Sequence, residues 1–408
     1  MTSPKVLTFG CRLNAHESDV MAHLAEGDTS QETIIVNTCA VTATAERQAR
    51  QAIRRAHREN PNAQIVVTGC ASEVAEEKWA SLPGVARVVQ NTDKLNPKHW
   101  GTAQSRAKRP TTPPSRHARA LLQVQQGCDH RCTFCIIPYG RGDSRSTPLH
   151  EALERAEALI RAGHLEIVLT GVDVASWRGP NGEGFGHICR VLLKNLPELQ
   201  RLRLSSVDPV VLDPDKGDSD LWWLLENEPR LMPHLHLSLQ AGSELILKRM
   251  KRRHTPRSVA HSLERIRKIR PEIGIGADLI AGFPTETEKL FQETLSFVEE
   301  QKIPFLHVFP YSERPETPAA RMPAVANAER QARAARLRDA GERNKEEFLQ
   351  RFIGTQQGVL IETPAQGHIE SFAPLRLAHP EMSPPRGTIA PVRVDRIENG
   401  FLIGTLLS

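Results

Sequence analysis

The chain has 408 residues, 39% of them apolar and 25% charged, with a formal net charge of +5. That length suits two to four domains of ~100–200 residues, and the composition is that of an ordinary globular protein. No apolar run nears the ~18 residues that a membrane-crossing helix needs. The apolar part of the first residues is also too short for a signal peptide, so the expected location is the cytoplasm. Seven scattered cysteines do not read as a disulfide framework; reduced thiols that hold metal fit better. The mild positive charge permits an anionic partner without demanding one.

Residues 1–103 alternate apolar runs with helical stretches. Val6–Phe9, Thr33–Val36, Gln64–Val67 and Val85–Val89 read as strands. Helices are expected near Ala15–Ala25, Ala43–Arg58 and Ser72–Ser81. This alternation predicts an open parallel sheet of the α/β class. Each of the first three strands runs into a cysteine: Cys11, Cys39 and Cys70. The carboxyl ends of such strands lie along one edge, where ligands bind, so topology brings the three thiols together. The plainer alternative is three small buried side chains. Residues 104–119, rich in Pro and basic residues, have linker composition.

The strand Ala120–Val124 leads into Cys128-Asp129-His130-Arg131-Cys132-Thr133-Phe134-Cys135, three thiols within eight residues. Such a loop can wrap an iron–sulfur cubane and leave one iron open for chemistry. Zinc also takes Cys3His sites, and His130 is available as a fourth ligand. However, the second short Cys/His hairpin usual in zinc fingers is missing from the sequence. Further strands are expected at Glu166–Thr170, Leu202–Ser205, Leu235–Leu239, Gly276–Ile280 and Phe305–Phe309, with helices between them at Leu149–Ala162, Ser258–Ile269 and Leu290–Glu300. Six repeats over 120–325 predict a partial (β/α)6 barrel whose active groups sit at the strand ends.

The C-x-x-x-C-x-x-C loop, with Phe134 before its last cysteine, resembles the signature of radical S-adenosylmethionine (SAM) enzymes. By that likeness the three thiols hold a [4Fe-4S] cluster, SAM chelates the open iron, and Phe134 lies against adenine. Gly171 stands where related enzymes approach SAM's amino group, and Ser205 and Ser206 stand where they offer a hydroxyl to the ribose. Gln240, in His234–Ser243, and Gly282, in Asp278–Thr287, lie in two further family phrases around SAM. In these phrases Ala241 and Thr285 depart from the usual Ser and Gly. The phrases around Cys11, Cys39 and Cys70 are similar to the N-terminal domain of the methylthiotransferases, which implies a second [4Fe-4S] cluster carrying the sulfur to be inserted and two SAM molecules per turnover.

Residues 326–352 read as a helical connector. Beyond 353, short strands at Gly358–Ile361, Val392–Val394 and Phe401–Ile403 are a loose match to the family's small RNA-binding TRAM barrel, and Pro374–Gly387 shows no strand alternation. Cys189 reads as a core residue. Tyr139 and Tyr311 are candidates for stacking on a base, and Lys251, Arg252 and Arg253 for contacting phosphates. Gly10–Asn14 looks most like the branch that modifies N6-threonylcarbamoyladenosine at position 37 of tRNA, in the anticodon loop; Arg12 then pairs with the substrate carboxylate. Other family branches act on isopentenyladenosine-37 or on a ribosomal-protein aspartate. Outside the family, a non-catalytic iron–sulfur RNA-binding protein would keep the cysteines. The reading implies a monomer served by a flavodoxin- or ferredoxin-like electron donor, with the source of sulfur left open.

Overall fold

The structure is a computed structural model that describes residues 4–26, 32–100 and 117–407. Most of the expected basic linker falls outside these residues. Strands β1 (Lys5–Thr8), β2 (Thr33–Thr38), β3 (Gln64–Gly69) and β4 (Val85–Val88) form a parallel sheet in that order. Ile34–Val36 and Ile65–Val67 are fully buried, as β-branched strands covered on both faces must be. Helix α1 (Arg12–Ala25) begins at Cys11. Helix α2 (Ala43–Glu59) is capped by Thr42, whose hydroxyl accepts from the Ala45 N–H at 3.2 Å. The single helix expected over 72–81 is two, α3 (Cys70–Val74) and α4 (Glu76–Ala80). The chain leaves helical geometry at Ala75, which lets Trp79 turn into the core.

The six-strand expectation holds. Strands β5 (Ala120–Gln123), β6 (Glu166–Thr170) and β7 (Arg201–Leu204) form one parallel sheet. Strands β8 (His234–Gln240), β9 (Gly274–Ala281) and β10 (Phe305–Pro310) form the other. Bridges at Leu202–Leu231 and Val207–Leu237 join the two into a partial barrel. Alternation sorts the side chains. Leu202, Leu204, Leu235, Leu237, Ile275 and Leu279 pack under the helices, in a core that also holds Cys189. Arg203, His234, His236 and Asp278 take the opposite phase and face the lumen.

After the helix Asn327–Gln350, strands β11 (Gln356–Thr363), β12 (Gln366–His368), β13 (Pro374–Leu377), β14 (Ile389–Glu398) and β15 (Phe401–Leu406) close a small barrel. Part of the segment thought to lack strands is therefore β13. Its proline sits at the first strand position, where a missing N–H costs least. This barrel docks beneath the starts of the central strands. Arg201 donates to the Gly358 carbonyl at 3.0 Å, and Arg203 to the Glu370 carbonyl at 3.0 Å. At Gly274 a Cβ would lie 2.1 Å from the Ser371 carbonyl oxygen, so only glycine admits this approach. Among the described residues, no helix is long and apolar enough to cross a membrane.

Candidate functional site

The first three cysteines follow β1, β2 and β3 at one sheet edge, as topology predicts. Two of them are preceded by glycines with φ of +99° at Gly10 and +105° at Gly69. A Cβ on Gly10 would lie 2.7 Å from Cys39 Sγ, and one on Gly69 would lie 2.4 Å from the Thr38 carbonyl oxygen. Cys39 and Cys70 are buried, whereas Cys11 is open to its surroundings. Cys128, Cys132 and Cys135 form a second set in the loop after β5, fastened by Thr133, whose hydroxyl donates to the Arg249 carbonyl at 2.8 Å. All six thiols are free. His130 Nε2 lies 2.9 Å from Asp173 Oδ2.

Burial pushes the Cys39 and Cys135 thiols up to about 12 and Cys128 up to about 11, and neighbouring thiols of the same set add to the effect. Thiols so raised become thiolates when a metal cation binds them. Each set also contains one sulfur that faces an arginine. Arg141 Nε donates to Cys70 Sγ at 3.1 Å and Arg252 Nη1 to Cys132 Sγ at 3.6 Å. Carboxylates anchor both arginines, Glu17 for Arg141 and Asp208 for Arg252.

Below the thiols, the lumen is polar and mostly paired. Asp278 lies 3.0 Å from His236 Nε2 and 3.3 Å from His307 Nδ1. Burial opposes its charge, but these two partners hold it ionised below the usual carboxylate range. Arg203 pairs with the buried Glu166 at 2.6 Å, and Arg119 pairs with Glu362. Phe372, at φ +70°, floors the lumen. Its ring lies 4.5 Å from that of His234 and beneath the guanidinium groups of Arg12 (5.6 Å), Arg119 (4.7 Å) and Arg203 (5.1 Å). Among the described residues Arg12 has no hydrogen-bonded or ion-paired partner. Its surroundings, and then the charges of Arg119 and Arg203, push its pKa down, although its own surface stays open.

Residues 122–298 match the radical SAM superfamily, and residues 4–90 match the family described as uncharacterized protein family UPF0004. The threonylcarbamoyladenosine tRNA methylthiotransferase MtaB of Rickettsia prowazekii is 42% identical over 387 residues, 91% of each chain. The chain belongs to the radical SAM methylthiotransferase family. MtaB of Bacillus subtilis is 33% identical over 341 residues, 77% of this chain and 74% of that one. The tRNA-2-methylthio-N(6)-dimethylallyladenosine synthase of Roseobacter denitrificans is 32% identical over the whole of both chains. A solved structure of the radical SAM methyltransferase TsrM from Kitasatospora setae shares the fold, with a TM-score of 0.54 and 14% identity over 74% of this chain and 68% of that one.

Enzymes of this superfamily use SAM and a [4Fe-4S] cluster, and the methylthiotransferase has a thiol set that fits: three sulfurs close enough to repel one another, with an arginine donor at hand. Several residues expected near SAM or RNA have other duties. Gly282 donates its N–H to Glu286 at 2.9 Å, and its missing Cβ makes room for Arg330. Gly171 packs on Gln125, where a Cβ would lie 2.8 Å from the carbonyl oxygen, and Gln125 accepts from the N–H groups of Val172 and Asp173. Ser205 is buried with an unpartnered hydroxyl, Ser206 is exposed, and Gln240 adopts φ +70°. Phe134 is half-buried against the apolar cluster that holds Met250, Phe283 and Tyr311.

Tyr311 is 5% exposed and packs edge-to-face on Phe283 at 5.8 Å. The buried guanidinium of Arg252 is held by Asp208 at 3.0 Å and the Ser238 carbonyl at 2.8 Å, so both side chains are engaged within the protein. Dense charge such as that of 248–254 ordinarily stays solvated, but Asp208, distant in sequence, supplies the counter-charge that permits burial of Arg252. Arg253 shares Asp208 at 3.3 Å, Lys251 is exposed at φ +57°, and Tyr139 remains open to solvent. Glu17, Arg141, Asp208 and Phe372 are the residues sequence reasoning missed. The Asp278 pairings lie inside the phrase Asp278–Thr287 already marked in the sequence, and Arg141 lies six residues beyond the Cys128–Cys135 loop.

Proposed function

We propose that this methylthiotransferase acts on tRNA and converts N6-threonylcarbamoyladenosine at position 37 to its 2-methylthio derivative. In this reading Cys128, Cys132 and Cys135 hold one [4Fe-4S] cluster and Cys11, Cys39 and Cys70 another, and two SAM molecules are used. Arg12 carries the proposal. It is the cation of the lumen left without a partner among the described residues, one residue from Cys11, whereas Arg119 and Arg203 are already neutralised. A threonylcarbamoyl group ends in a carboxylate that would complete this arrangement, and an isopentenyl group would not. The 42% identity to an MtaB supports the same choice.

When bound, the cluster and SAM supply the radical chemistry that an unactivated aromatic C–H requires. The chain's own residues orient and exclude. Arg12 holds the substrate carboxylate, and the His236–Asp278–His307 group offers polar contacts beside it. Phe372 closes the lumen against water from below, and Phe134 and Tyr139 offer aromatic faces near the entrance. The enzyme would work as a monomer fed by a flavodoxin- or ferredoxin-like donor.

The test is anaerobic reconstitution, iron and sulfide counting, and mass spectrometry of nucleosides after incubation with SAM and reductant. The expected product is 2-methylthio-threonylcarbamoyladenosine from tRNA carrying the precursor. Product only on isopentenyladenosine tRNA or on a ribosomal-protein aspartate would reassign the substrate, and absence of SAM cleavage would leave a non-catalytic iron–sulfur protein.

A further inference from the structure

Cys70 is the member of its set that a cation approaches. Arg141, buried and six residues beyond Cys135, engages all five of its N–H groups. Nε donates to Cys70 Sγ at 3.1 Å. Nη1 donates to Glu17 Oε1 at 2.7 Å and Gln126 Oε1 at 2.8 Å. Nη2 donates to Asn14 Oδ1 at 2.5 Å and Glu17 Oε2 at 2.9 Å. Asn91 adds a second donor, 3.7 Å from the same sulfur, and also donates to the Gly140 carbonyl at 2.5 Å. Gly140 packs so tightly that a Cβ would lie 3.0 Å from the Cys70 carbonyl oxygen. The other sulfurs of the set are served differently. Cys39 receives one backbone N–H, from Val41 at 3.4 Å, and Cys11 Sγ receives no donor among the described residues.

The charges around Arg141 point the same way. Glu17 faces two buried cations, Arg141 and Lys94, the latter at 2.5 Å. This carboxylate holds Arg141 Nη1 and Nη2, which leaves Nε aimed at the Cys70 sulfur. A buried arginine is held in such a place by its partners.

We propose that Arg141 is the positioning residue of the N-terminal iron–sulfur site, donating to the Cys70 ligand sulfur and pinning that set of cysteines to the short helix Ile137–Arg141 that follows the other. The proposal rests on the two-cluster reading above. Hydrogen bonds and positive charge at ligand sulfurs raise a cluster's reduction potential, so Arg141 should hold the N-terminal cluster at a higher potential than the thiols alone would give.

Iron and sulfide in the reconstituted full chain are counted first; a single cluster's worth in the wild type defeats the two-cluster reading before any variant is compared. Potentials are then measured by spin-resonance-monitored redox titration in two full-length backgrounds. One carries Cys128→Ala, Cys132→Ala and Cys135→Ala, and the other Cys11→Ala, Cys39→Ala and Cys70→Ala. In the first, Arg141→Gln is expected to shift the midpoint potential downward and Arg141→Lys to give an intermediate value. In the second, Arg141→Gln should leave the potential unchanged. If neither variant takes up N-terminal iron while the fold and the other cluster persist, the pinning role is supported. An unchanged N-terminal potential in a loaded variant, an equal shift at both clusters, or loss of both clusters overturns the proposal.

Discussion

Arg12 and Gly10 show how much a single position can decide. A hydrogen bond to a charged group is worth ~1.5–3 kcal/mol, so Arg12→Gln should lower kcat/KM for threonylcarbamoyl-tRNA by about 10- to 100-fold, mainly through KM. Steady-state kinetics on modified tRNA checks this, and undiminished turnover would remove Arg12 from substrate recognition. At Gly10, both the positive φ and the 2.7 Å approach to Cys39 exclude a side chain. Gly10→Ala should therefore lose about half of the reconstituted iron and keep SAM binding, measured by iron assay and equilibrium dialysis. The cysteine spacing and the glycines before Cys11 and Cys70 were legible in the sequence because both are local patterns. The partners of the cations were not: Arg252 and Asp208 are far apart along the chain, and only folding shows that one neutralises the other.

Helix α1 couples two units of the molecule. Its first turn presents Arg12 to the lumen, and its buried Glu17 receives Arg141 from the central domain. Burial by itself would raise the Glu17 pKa, but Arg141 and Lys94 outweigh it and hold the carboxyl at about 2. A carboxylate whose folded pKa lies below its ordinary value of 4.5 adds stability above that value and loses it as pH falls toward about 2. Thermal unfolding of the apoprotein should thus show a loss of Tm between pH 4.5 and 3 that is reduced in Glu17→Gln, a variant already less stable at pH 7. Strand and helix existence was readable from periodicity, including all six central strands. The break at Ala75 and strands β12 and β13 were not, since tertiary packing rather than local pattern sets them.

At the scale of the whole molecule, the C-terminal barrel is a structural part of the lumen, which its Phe372 floors. The 2.1 Å approach at Gly274 makes a clean test. Gly274→Ala should push the Ser371 loop away, release a C-terminal fragment on limited proteolysis, and raise KM more than it changes iron content. Equal protease resistance in variant and wild type would count against this docking. The sequence suggested a barrel here but not its seat, because Phe372 meets Arg12, Arg119 and Arg203 only across long stretches of chain.

The placement of Phe372 also imposes an order on biosynthesis. On a growing polypeptide both groups of cysteines have been made once Cys135 is out, whereas Phe372, at the base of the tube, follows 237 residues later. A nascent chain can therefore hold all six of these cysteines while the lumen still lacks its base. Synthesis of the two thiol sets and closure of the lumen are thereby separated in time by the direction of translation.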